Sequence, residues 1–255
     1  MRISSLPVAA AMWTMILFTP VLASEAAEVK AIGANPMKAV VQELGAQFER
    51  DTGHKLVAKF VSGPVVKREI DAGEPFDLAI SAAPVIDALM KEGKIVPGTR
   101  ADVAYAAVGV GVRAGAPKPD IGSVEAFKRA LLDAKSVAHP AEGPSGAHFK
   151  RLLDRLGIAE EMKPKLKPMS GDALVKAVPS GEAEMIISSM PDVIADGTVL
   201  VGPLPQELQL YIRFAAGVGA HAKEAEAAKV LIKFLTAPAA VPIIKAKGME
   251  PGTPR

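Results

Sequence analysis

The sequence predicts an α/β fold of two lobes, each a mostly parallel sheet flanked by helices, joined by two crossing strands. Three observations carry that expectation. Short apolar strands alternate with helical stretches between residues 28 and 92, and a βαβαβα order makes a doubly wound parallel sheet with right-handed crossovers. A second strand and helix series lies between residues 123 and 188. Two longer apolar segments, "VAYAAVGVGV" (103–112) and "LQLYIRFAAGVG" (208–219), bracket that series as strands passing between lobes would.

The elements follow in order. "EVKAIGA" (28–34) is a strand ending at Asn35-Pro36, where Asn is a favoured N-cap and Pro a favoured first helical residue. Met37, Val40, Val41, Leu44 and Phe48 then recur at helical spacing until Gly53. "HKLVAKFV" (54–61) is a second strand, and Pro64 starts a helix carrying Val66 and Ile70. "FDLAIS" (76–81) is a third strand, followed by a helix from Pro84 to Glu92. The second series has helices at 123–134, 146–157 and 172–178, with strands at 136–139, 165–169 and 184–188. Two helices, 223–237 and 239–248, close the chain. The expected division is 28–105 with 216–255 as lobe 1 and 106–215 as lobe 2, hinged near 103–112 and 208–219.

The N-terminus reads as a signal peptide over residues 1–23. Arg2 is the positive end, Leu6 to Leu22 is apolar, and small residues follow at Ala23, Ser24 and Ala26, the layout of a secreted precursor. Pro7 and Pro20 interrupt the run, and it is short for a membrane span. Cleavage near Ala23 or Ala26 leaves a periplasmic chain without Arg2, so 29 basic residues face 28 acidic ones. That balance argues against nucleic acid and against a polybasic membrane clamp. With no cysteine, an exported chain of about 230 residues relies on its hydrophobic core. The mature part has only Tyr105 and Tyr211 as tyrosines and no tryptophan, which disfavours a sugar ligand.

In open α/β sheets ligands sit beyond the carboxyl ends of strands, against helix N-termini whose free N–H groups suit an anion. Four junctions fit: Ala34-Asn35-Pro36, Ser62-Gly63-Pro64, Pro144-Ser145-Gly146 and Ser170-Gly171-Asp172. A fifth, Ser188-Ser189-Met190-Pro191, again offers hydroxyls before a proline. The competing explanation is plain capping, which uses the same residues and binds nothing. Recurrence in both halves favours convergence on one small anion.

"FVSGPVVKREIDAGEPFDLAISA" (60–82) resembles the second-motif region of periplasmic molybdate-binding proteins, with Ile70, Ala72, Gly73, Pro75, Asp77, Leu78, Ile80, Ser81 and Ala82 in matching places. The likeness extends through "GPSGAHFKRLLDRLG", "MKPKLKPMSGDALVKAV" and "VLIKFLTAPAA". It implies a type II periplasmic binding-protein fold in which hydroxyls and backbone N–H groups hold an oxyanion between lobes. It further implies a monomer that hands its ligand to an ABC transporter permease and carries no cofactor. Carried over position by position, the ligand contacts fall at Asn35 or Pro36, Ser62 and Gly63, Ser145, near Gly171, and at Ser189. Asn35, Gly63 and Ser189 depart from the hydroxyls and tyrosine of a molybdate binder, which points to a larger or organic anion. The wider family also includes a periplasmic aconitate isomerase, so an enzyme acting on a tricarboxylic acid is the alternative.

A carboxylate ligand would recruit cations, for which Lys67, Arg68 and Arg213 are candidates, each otherwise a surface or hinge residue. An isomerase needs a positioned acid or base. His139, at a strand end, and Glu142, in the loop that follows, are the candidates, with loop hydrogen bonding and solvation as their ordinary roles. "GPSGA" (143–147) lacks the nucleophile-elbow spacing and "GVGVRAG" (109–115) lacks dinucleotide spacing. No histidine or carboxylate spacing suggests a metal site.

Overall fold

A computed structural model describes residues 26–252, and the proposed signal peptide lies outside them. Strand β1 (Glu28–Ala34) pairs in parallel with β2 (Lys55–Val61) on one side and β3 (Leu78–Ala82) on the other. Helices α1 (Lys38–Thr52), α2 (Gly63–Asp71) and α3 (Ala83–Lys91) connect and follow them. Gly53 closes α1 in the left-handed conformation, as a residue without Cβ does at low cost.

Strand β4 (Ala101–Arg113) belongs to both halves. Residues 101–107 pair with β9 (Tyr211–Val218), which in turn runs antiparallel to β3. Residues 108–113 pair with β7 (Met185–Ser189) and β8 (Thr198–Pro203). Beyond β7, strand β5 (Val137–Pro140) pairs in parallel with both β7 and β6 (Leu166–Met169). The strand order is therefore β2-β1-β3-β9-β4-β7-β5-β6, with β8 and the short β10 (Glu250–Pro251) also on β4. Each side is mostly parallel, and the two long strands meet in the middle.

The second half carries α4 (Val124–Asp133), α5 (Pro144–Arg155), α6 (Ala159–Met162), α7 (Gly171–Lys176) and α8 (Met190–Val193). The chain returns through α9 (Ala225–Thr236) and α10 (Val241–Ala246). Helices on both sheet faces bury separate apolar clusters. One is Ile32, Val66, Ile70, Ile86 and Ile95 beneath α2 and α3. Another is Leu174, Val178, Ile186 and Val193 in the second half. Phe48 of α1 meets Phe234 of α9 edge to face with ring centroids 5.7 Å apart, an arrangement that adds about 0.5–1.5 kcal/mol to burial.

Several expected boundaries move. Asn35 is not the N-cap of α1: Asn35–Met37 forms a 3-10 turn capped by Ala34, and α1 starts at Lys38. The 208–219 segment divides into a 3-10 turn at Gln206–Leu208 and β9 from Tyr211, because Gln209 interrupts it by bonding its side chain to the backbone of Val108. The 239–248 helix divides likewise into a 3-10 turn at Pro238–Ala240 and the shorter α10. Strands β8 and β10 and helices α6 and α8 were not expected from the pattern.

Candidate ligand-binding site

The junctions converge. Asn35, Pro36, Ser62, Gly63, Ser145, Gly171 and Ser189 all line one cavity of about 60 Å³. Ala34, Ala82, Met169 and Ser170 from strand-to-helix turns complete the wall, with Ile212 and Phe214 from β9. The two halves come close across it. A Cβ added to Gly143 would stand 3.6 Å from Pro64, and one added to Gly171 would stand 3.6 Å from Asn35 Nδ2. Both glycines have positive φ, at 89° and 58°, where a side chain is strained.

The helix starts around the cavity are bare. Ser62, Ser170 and Ser189 occupy the N-cap positions of α2, α7 and α8, yet none accepts a side-chain capping bond. The caps of α3 and α5 are Ala82 and Gly143, which have no side-chain acceptor. By contrast Ser123, at the start of α4, accepts from the Ala126 N–H at 3.1 Å. Plain capping therefore does not explain the serines at the cleft. The opening N–H groups of these helices have no partner inside their own helix, so the turn at Gly63 and the turn at Ser145 present donors to whatever fills the cavity.

Two carboxyl groups share the wall. Glu142 Oε1 accepts from Ser62 Oγ at 2.6 Å. Arg68 approaches the same carboxylate in a fork, Nη1 at 2.9 Å from Oε2 and Nη2 at 3.1 Å from Oε1. Arg68 and then Ser62 hold the Glu142 carboxyl below its ordinary value, so it is ionised. Asp192 accepts at one oxygen, Oδ2, from Ser188 Oγ and Ser189 Oγ, both at 2.7 Å. Burial pushes the Asp192 carboxyl up, with the serine bonds opposing it. Among the described residues the cavity wall contains no lysine or arginine.

The remaining candidates lie elsewhere. Gly146 is a packing glycine: a Cβ there would stand 2.2 Å from the Pro140 carbonyl oxygen, so its absence lets α5 sit on the end of β5. Ser188 is buried behind the wall and reaches only Asp192. Lys67 is tied to Asp71 and Glu92, each at 2.8 Å, outside the cavity. Arg213 lies over the Tyr105 ring, 5.6 Å from its centroid, and lines an adjoining groove with Tyr211 and Asp87. His139 is 1 % exposed, with Nδ1 2.9 Å from the Pro140 carbonyl and its ring against Phe149. That carbonyl only accepts, so Nδ1 carries the hydrogen. Burial first lowers the His139 pKa, and the ring does not reach the cavity.

Sequence reasoning missed two groups. Asp192 follows a serine pair by three residues, but only the fold shows that it faces the cleft. Ser81 Oγ is fully buried, has no hydrogen-bond partner, and stands 3.4 Å from where a Gly63 Cβ would be. Two grooves open from the cavity, one of about 340 Å³ beside Tyr211 and one of about 570 Å³ beside Lys38 and Asp172. A separate hollow of about 350 Å³ between Pro117, Lys118, Arg129 and Glu184 touches none of the five junctions.

The family described as bacterial extracellular solute-binding protein matches residues 29–250. An aconitate isomerase of Pseudomonas sp is 25 % identical over 247 residues, covering 93 % of each chain. The molybdate-binding protein ModA of Azotobacter vinelandii is 31 % identical over 233 residues, covering 89 % of this chain and 91 % of that one. The solved structure of the Azotobacter vinelandii periplasmic molybdate-binding protein superposes with a TM-score of 0.76 at 22 % identity, covering 89 % of this chain and 100 % of that one.

Proposed function

We propose, for a chain that belongs to the bacterial extracellular solute-binding protein family, that its cleft captures one small anion in the periplasm and presents it to the permease of an ABC-type uptake system. The observation that carries this is the meeting of uncapped helix starts from both halves at one cavity. Charge-assisted hydrogen bonds contribute roughly 1.5–3 kcal/mol each, so five or six such donors offset the desolvation of an anion without a cationic side chain.

The enclosed space of about 60 Å³ is far below the ~300–1,000 Å³ of pockets for drug-sized ligands. It suits a tetrahedral oxyanion or one acidic head group, with the rest of an organic acid lying in an adjoining groove. Asn35, Gly63 and Ser189 in place of a molybdate binder's hydroxyl and phenol groups favour the organic acid. Calorimetric titration of the mature protein with molybdate, tungstate, sulfate, citrate and aconitate tests the reading. Saturable binding of at least one at a single site is expected, with an organic acid tighter than molybdate. No saturable binding of any would overturn it.

A second reading, isomerisation of aconitate, is favoured by the full-length likeness to the Pseudomonas enzyme. Its residues are poorly placed for the chemistry: His139 is turned away from the cavity, and Glu142 is a weakened base held by Arg68. The same samples incubated with trans-aconitate are expected to yield no cis-aconitate by chromatography. Its appearance would establish the enzyme.

A further inference from the structure

A serine hydroxyl has a single hydrogen to donate. At this cavity Ser62 directs its hydrogen to Glu142, and Ser189 directs its hydrogen to Asp192. Toward the cavity these oxygens therefore present lone pairs, beside two carboxyl groups that line the same wall. The donors lie elsewhere, on the Asn35 side-chain amide, on the Ser145 and Ser170 hydroxyls, and on the first backbone N–H groups at Gly63 and Ser145. The wall is thus divided, with part of it donating and part of it accepting. An anion whose oxygens all lack hydrogen satisfies the first part but offers nothing to the Ser62 and Ser189 lone pairs, and the Glu142 carboxylate repels it.

Resting on the anion reading above, we propose that the cavity selects anions that carry a hydroxyl hydrogen of their own, and that Glu142 and Asp192 set this preference by holding the Ser62 and Ser189 hydroxyls as acceptors. The shared chemistry is an acidic group with an O–H donor close by, as in a hydrogen-bearing inorganic oxyanion or a 2-hydroxy acid. Glu142 is the stronger determinant. Its bidentate bond to Arg68 keeps it ionised and fixes the direction of the Ser62 hydrogen, whereas Asp192 holds two hydroxyls on one oxygen.

Two matched pairs test this by calorimetry on the intact mature chain at neutral pH: phosphate against sulfate, and lactate against propionate. Phosphate keeps a hydrogen at that pH and sulfate does not, and lactate differs from propionate by one hydroxyl. In at least one pair the hydroxyl-bearing member is expected to bind about tenfold or more tightly, the scale of one hydrogen bond to a charged group. The pair that shows it separates an inorganic from an organic ligand.

In Glu142→Gln the amide can donate to Ser62, which frees the serine hydrogen for the ligand, so the preference should fall about tenfold. Asp192→Asn should reduce it less. Equal binding within both pairs by the wild type overturns the inference while leaving an anion site in place. So does a preference that persists unchanged in both variants. Failure of all four anions to bind overturns this inference, while the anion reading falls only if molybdate, tungstate, citrate and aconitate also fail to bind.

Discussion

Asp192 is an acid held by neutral hydroxyls at a wall that is 9 % exposed for that residue. Because burial raises its folded pKa, the native state keeps a proton that the unfolded chain releases near the ordinary aspartate value. Stability contributed by this group is therefore full below that value and declines as pH rises toward the folded pKa. Asp192→Asn removes the cost. Its melting temperature at pH 7 should exceed the wild type's. The difference should vanish below about pH 4, and thermal melts at the two pH values check both halves of the statement. Glu142 has the opposite sign: Arg68 lowers its pKa, so its link is present at neutral pH and is lost as pH falls through the folded value. Of these residues Ser62, Ser145, Gly171 and Ser189 were legible in the sequence, because a strand followed by a small polar residue and a helix start is a local pattern. The Arg68–Glu142 pair was not, since its partners are 74 positions apart and only folding brings them together.

At the scale of elements, the Asp77 carboxylate joins three of them. Its Oδ2 accepts from the Lys30 N–H of β1 at 2.8 Å, and Oδ1 accepts from the N–H groups of Lys223 and Glu224 just before α9, at 2.7 and 3.0 Å. It serves as a cap supplied from a distance for α9, whose own cap, Glu224, makes no side-chain bond. Asp77→Ala should destabilise the fold by ~1–3 kcal/mol, because three part-buried N–H groups lose a charged acceptor. Denaturant titration would show this as a lower midpoint with an unchanged slope. The strands and helices that were legible are those with prolines at their starts or long apolar runs, such as α2 and β4. Strand β8 was not, because "TVLVGP" (198–203) has half-buried residues on both faces and so lacks the alternation that marks a strand. Helix α8, four residues long, is too short to show a period.

Across the whole molecule, three side-chain links bridge the cleft among the described residues: Ser62–Glu142, Arg68–Glu142, and Lys38–Asp172 at 3.7 Å. Arg68 is 60 % exposed, so solvent screens its pair and the link across the cleft is a weak one. If the two halves separate, Arg68→Ala should lengthen the distance between them only slightly. Because the chain has no cysteine, dyes on cysteines introduced at the exposed Val57 and Glu182 would report it by energy transfer. An unchanged distance distribution would show that the Arg68 link does not hold the halves together. The alternation of strands and helices made the general architecture legible, whereas the closeness of the halves depends on contacts that no single segment encodes.

Strand β9 lies in the middle of the sheet, between β3 and β4, yet comes from near the end of the chain. A growing polypeptide cannot complete its first sheet until Tyr211–Val218 has been made, and the Asp77 carboxylate waits 146 positions for Lys223. Such late pairing makes for slow folding. The early segments therefore stay pliable until their central partner emerges.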